Sequence, residues 1–263
     1  MRIPAPDTLY YYCSNEVFMS IWTANKLRLS SMSMSNDSLE GRWFFERFRE
    51  KLTSIENGLL LKGKTDVFSL FDKVFSRSGL DLLSMCFSEE RDLLSQWRGY
   101  ASDAEGICIG FSTQKLSELE YCDNGSPIAL SKVIYDKDQQ DTIISEMLDE
   151  HLDISNVDDI IMHRGLVERI VTNTFMYKNP AFHEEREWRL SSGATNDDYD
   201  PSSMLLHVKH NKFVPYREVS LPKDRSTISE VILGPKNKTP EKILEQFVRG
   251  HDILVSRSNA SLR

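Results

Sequence analysis

The residues best suited to chemistry lie in Ala181 to Leu190, AFHEEREWRL, where Glu184, Glu185 and Glu187 run into Trp188, Arg189 and Leu190. If the last four residues are extended, alternate side chains point to opposite faces. Glu187 and Arg189 then share one face, which reads as a site, and Trp188 and Leu190 share the other, which reads as core. A carboxylate fixed beside a guanidinium on a rigid strand can hydrogen-bond a substrate hydroxyl or stabilise developing positive charge. The same pair also suits a plain salt bridge on a sheet edge.

A second cluster is Trp97, Arg98 and Tyr100, set between two strand-like runs. On a helix Trp97 and Tyr100 are three apart and therefore neighbours, with Arg98 beside them. A flat ring and a guanidinium suit stacking and phosphate pairing with a nucleotide or nicotinamide. An aromatic core anchor with a solvated arginine accounts for them as well. Tyr10, Tyr11 and Tyr12 can turn one phenol to a ligand and pack the others. Asn36, Asp37 and Glu40 can line a polar pocket at a helix start, although a capping box explains Asp37 and Glu40. No serine, cysteine or histidine sits in a nucleophile motif, and no P-loop or dinucleotide glycine pattern occurs. Metal-assisted nuclease chemistry through Asp37, Glu40 and Glu187 lacks ligand spacing, so no metal is expected.

These residues need a frame, and the sequence pattern supplies one. Strand character at Leu9 to Tyr12 is followed by Ser14 as a cap and by Val17, Phe18, Ile21 and Trp22 at helical spacing. Further strands are read at Leu27 to Ser30, Leu82 to Ser88, Gly106 to Phe111, Ile128 to Tyr135, Met204 to Lys209, Lys212 to Leu221, Ser229 to Leu233 and Asp252 to Ser256. Short helices are read at Leu94 to Ala101 and Pro240 to Val248, and helical insertions at about 37–80 and 139–178. The expectation is one α+β domain over 1–263, with a mixed, mostly antiparallel sheet and inserted helices.

The formal charge of −8 over 263 residues argues against a protein that coats nucleic acid. Cys13, Cys86, Cys108 and Cys122 form no CxxC pair and read as reduced thiols. No apolar run reaches the roughly 18 residues of a membrane helix, so the expected setting is cytoplasmic, without a membrane partner.

In their order, LYYYCSNEVFMSIW, SMSNDSLEG, CFSEERDLLSQWRGYASDAEGICIGF, KVIYD, KNPAFHEEREWRL, EVILGPK and SRSNASLR resemble the bacterial family known as domain of unknown function 2971 (DUF2971). That family typically carries a histidine between the two aromatics of its first strand, where this chain has Tyr11. The order of elements is also similar to ADP-ribosyltransferase folds. That likeness implies an NAD-consuming enzyme, a transferase or glycohydrolase, acting as a toxin or anti-phage effector. Glu187 would be the catalytic carboxylate, Tyr100 or Trp97 the stacking ring and Tyr11 a ribose contact. Arg98 or Arg189 would pair phosphate, with Glu185 and Asn36 also lining the substrate site. NAD would be the substrate, a protein or nucleic acid the acceptor, and an antitoxin or defence component the regulator. The alternative is a noncatalytic module that senses a nucleotide or a protein.

Overall fold

The computed structural model describes residues 5–34, 43–44, 46–48, 50–51, 81–149, 164–194, 205–209 and 211–260. Asn36, Asp37, Glu40, the helical readings over 52–80 and the middle of the 139–178 insertion lie outside the described residues.

The chain opens with β1 (Thr8–Cys13), α1 (Asn15–Ala24) and β2 (Lys26–Ser31). The Ser14 hydroxyl accepts from the Val17 amide at the start of α1, and Asn25, at φ 53°, ends it in the left-handed region. Burial of Phe18, Ile21 and Trp22 is worth roughly 1.5–3 kcal/mol for each side chain, against about 1 for the cap. Packing therefore decides that the helix exists, and the cap decides where it begins.

β3 (Asp81–Ser88) is the strand on which the sheet turns. One of its edges pairs β6 (Glu187–Ala194) from Asp81↔Ala194 to Ser88↔Glu187. Its other edge is shared, with Leu83 and Ser84 paired to β2 and Ser88 paired to Tyr10 of β1. From β1 the sheet continues through β4 (Ile107–Ser112) and β9 (Ile228–Leu233) to β10 (Leu254–Arg257), which runs parallel to β9. From β2 it continues through β8 (Lys212–Ser220) to β7 (Leu205–Lys209), while β5 (Ala129–Lys132) lies outside β6. Among the described residues the result is a ten-stranded, mostly antiparallel sheet, in agreement with the α+β expectation.

Helices α2 (Leu94–Tyr100), α3 (Thr113–Ser117), α4 (Lys137–Asp149), α5 (Arg164–Met176) and α6 (Glu241–Phe247) complete the described elements. A 3-10 helix, Pro180–Glu185, connects α5 to β6. The strand expected over Ile128 to Tyr135 is shorter than its pattern suggests, because Ile134 leaves β5 to bridge Tyr177 instead.

Residues paired across neighbouring strands share a face. One face carries Leu9, Tyr11, Phe87, Ile109, Trp188 and Val231 into the main core with α1. The other carries Tyr10, Tyr12, Cys108 and Ile232, covered by Trp97 of α2. Farther along β3, Leu82, Ile144, Phe175 and Tyr177 belong to a separate core with Phe44 and Phe48. The sheet is thus buried on both sides over the strands that carry Glu187 and Arg189.

A buried ion network beneath exposed aromatic rings

The segment that delivers the acidic strand is built by its own residues. Asn179 caps the 3-10 helix by accepting from the Ala181 amide at 2.9 Å, Pro180 takes the first position, and Arg186, at φ 42°, turns the chain into β6. Just upstream, α5 ends and leaves Lys178 pointing at the strand. Its ammonium donates to Glu185 Oε2 at 2.7 Å and to Glu187 Oε2 at 3.0 Å. Arg189 Nε donates to Glu187 Oε1 at 2.6 Å, and its Nη1 donates to the Phe175 carbonyl. The Glu187 amide donates to the Tyr135 hydroxyl at 3.2 Å.

Glu187 is 6% exposed, Arg189 1% and Lys178 4%. Removing ions from water costs several kcal/mol each, and two cations set against two carboxylates offset that cost only because the hydrogen bonds are complete. Burial pushes the Glu187 carboxyl up. The charges of Arg189 and Lys178, then hydrogen bonds from Arg189 and the Cys86 thiol, outweigh burial and hold it well below the usual carboxylate range. Glu187 is therefore ionised at neutral pH.

Two rings stand above this network. Phe182 is 45% exposed with the Lys178 ammonium 5.5 Å from its centroid, and Tyr100 is 57% exposed at the end of α2. Loss of water around the Tyr100 hydroxyl, then the charge of Glu185, push its phenol up to about 12, so it stays a donor. Ser95 on α2 donates to Glu184 at 2.9 Å and so holds α2 against the 3-10 helix.

Tyr100 leaves α2 through an unusual turn. Ser102, Asp103 and Ala104 have φ of 51°, 51° and 72°, three consecutive non-glycine residues in the left-handed region, each costing about 1–2 kcal/mol. Tertiary contacts fix the turn. The Ala104 amide donates to the Trp97 carbonyl at 2.9 Å, the Lys236 amide donates to the Ala104 carbonyl at 3.0 Å, and Lys236 pairs with Asp103 at 2.6 Å. Gly234 is required beside it, because a Cβ there would lie 2.4 Å from the Ala104 carbonyl oxygen.

The structure brings Glu187, Arg189, Glu185 and Tyr100 together and separates them from the other expected site residues. Trp97 points inward, wholly buried, edge-on to Tyr12 at 4.9 Å, with its indole N–H on Asp92 at 2.6 Å. It has no free face on which a ligand could stack. Tyr11 lies on the opposite face of the sheet from Glu187, beside Phe87 at 6.1 Å, since Tyr10 rather than Tyr11 is in register with Ser88 and Glu187. Arg98 is exposed, and its charge falls on Asp103. The face of β6 that carries Glu187 is as closed as the face that carries Trp188, not an open cleft floor. The spacing of the two aromatics is helical as expected, but it sends one ring in and one out.

Lys178, Tyr135, Cys86 and Phe182 escape a reading by motif. The signal for Lys178 is indirect: three glutamates in four residues beside a strand need a second cation, and KNP ends the preceding helix. Asp92 is a further organiser. It accepts from Trp97, from the Ser258 hydroxyl at 2.5 Å and from the Asn259 amide at 2.8 Å, so the terminal SRSN segment is tied to the start of α2. A depression of about 410 Å³ lies elsewhere, lined by Asn15, Glu105, Lys236, Asn237, Thr239 and Ile243 among others, and none of the network residues borders it. Among the described residues, no group of three or more His, Cys, Asp or Glu is placed to hold a metal ion, and no helix is long and apolar enough to cross a membrane.

The molecule is an α+β protein in which a large open sheet buries an ion network next to exposed aromatic rings. Residues 96–190 match the family described as Protein of unknown function (DUF2971). That span runs from α2 through the first half of β6 and contains Tyr100, Lys178, Phe182, Glu185, Glu187 and Arg189. No curated protein and no solved structure matches the chain.

Proposed function

We propose that the protein is a nucleotide-sensing module that binds its ligand on the surface formed by Tyr100 and Phe182 and reads occupancy through the ion network below. The observation that carries this reading is that both oxygens of Glu187 are already held, by Arg189 at 2.6 Å and Lys178 at 3.0 Å, while the two rings beside them are exposed. A carboxylate neutralised in this way has little capacity left to stabilise a cationic transition state. The exposed rings of Tyr100 and Phe182 suit stacking against a nucleotide base.

The competing reading is an NAD-consuming enzyme of ADP-ribosyltransferase type, with Glu187 engaging the ribose. It is favoured by one specific observation: Glu187 stays ionised on a rigid strand near the Tyr100 phenol. On that reading the acceptor is a macromolecule or water, and the reaction suits an effector or defence protein.

One titration separates the two. NAD added to the purified protein raises its melting temperature, and the recovered dinucleotide is intact if the protein senses. Tyr100→Ala and Phe182→Ala each weaken binding at least tenfold and leave the melting temperature of the free protein unchanged. Release of nicotinamide, lost in Glu187→Gln at unchanged circular dichroism, overturns sensing in favour of the enzyme. Failure of NAD, ADP-ribose and ATP to shift the melting temperature removes both readings.

A further inference from the structure

We propose that the β7–β8 hairpin is a docking edge for an extended partner segment in which apolar and acidic residues alternate, added to β7 as a further strand. β7 ends the strand order beyond β8, so among the described residues one row of its backbone N–H and C=O groups has no neighbouring strand. The register sets Leu206 opposite Pro215 and Val208 opposite Phe213, which places all four on one face. Leu206, Val208 and Phe213 are 47%, 65% and 70% exposed. An apolar row along an open edge is ordinarily guarded by charge, proline, a bulge or a covering element. β7 has no proline and no charged residue before Lys209.

The occupant is specified by charge. The opposite face of the hairpin carries the positions of Leu205, His207, Lys209, Lys212, Val214 and Tyr216; Val214 is buried, and the basic positions Lys209 and Lys212 lie opposite each other beside the turn. From Leu205 to Arg217 there is no Asp or Glu, in a chain whose formal charge is −8. The basic residues of the other two outer strands are engaged within the protein. Arg257 of β10 donates to the carbonyls of Asn237 and Thr239, and Lys132 of β5 pairs with Glu89. Lys212 is exposed and has no ion pair among the described residues. A second copy of this chain would bring two basic edges together. A bilayer would take the apolar side chains and leave the backbone ladder unused. A strand with apolar residues on one face and carboxylates on the other satisfies the ladder, the apolar row and the positive charge at once.

The probe is a fluorescein-labelled peptide of alternating glutamate and valine, eight residues long, titrated with the full chain and read by anisotropy. Saturable binding is expected. It falls at least tenfold with Val208→Asp, at least threefold with Lys212→Glu, and is lost when a central residue of the peptide is proline, which cannot complete the ladder. Circular dichroism of both variants confirms that the fold is retained. Equal affinity for the lysine–valine counterpart, or indifference to the central proline, overturns the proposal. So do sedimentation only with phosphatidylserine vesicles, and a dimer in light scattering that Phe213→Ser dissolves, because each assigns the hairpin to another occupant.

Discussion

Both oxygens of Glu187 are engaged by cations, and the consequence for stability is large. Glu187→Gln leaves Arg189 buried against a neutral group and Lys178 with the Glu185 carboxylate alone, and removing one member of a buried ion set costs about 3–5 kcal/mol. Urea denaturation is expected to show a loss of that size. The pH dependence has a definite sign. The folded state holds this carboxyl below its unfolded value of about 4.3, so its contribution is complete above that pH and is lost as pH falls from about 4 toward 2. Asp81 acts in the opposite sense. Burial raises its carboxyl despite donation from Ser31, Ser33 and the Leu82 amide, so it contributes most at low pH, and that contribution is lost as pH rises through its folded value. Acid titration of stability in Glu187→Gln, followed by far-ultraviolet dichroism, should be flatter between pH 4 and 2 than in the parent.

At the scale of elements, the turn from α2 into β4 is held by its surroundings rather than by its own preferences. Ser102 is exposed at φ 51°, so Ser102→Gly removes a Cβ penalty of about 1–2 kcal/mol against a glycine entropy cost of 0.5–1. A net stabilisation of about 0.5–1 kcal/mol is expected from thermal denaturation. Gly234→Ala drives a methyl group into the Ala104 carbonyl and is expected to cost about 1–3 kcal/mol. Asp92→Ala frees the Trp97 indole N–H, the Ser258 hydroxyl and the Asn259 amide together. A loss of about 2–4 kcal/mol and faster proteolysis of the terminal segment are expected.

Across the whole molecule, what the sequence reveals depends on how local the determinant is. Ser14 before Val17, Phe18, Ile21 and Trp22 places α1, and GICIGF places β4, because the signals lie within one turn or one strand of their effect. Pairing of Glu187 with Arg189 follows from period-two alternation alone. The direction of Trp97 does not, since it depends on Tyr12 and Asp92 and on Ser258, which lies far along the chain. Tyr11 likewise reads as a site residue until the register of β1 with β3 assigns it to the far side of the sheet. Lys178 reaches the site only because α5 ends where it does.

The sharing of β3 among three strands concerns how this protein opens. Its amides bond to β6 along one edge and to β2 and β1 along the other, so no single neighbour can detach and leave the strand free. In native-state hydrogen exchange, protons on residues 82–88 should be released only through global unfolding, whereas those of the β7–β8 hairpin should escape through local fraying. The branch makes β3 the place where the separate wings of the sheet become a single cooperative unit.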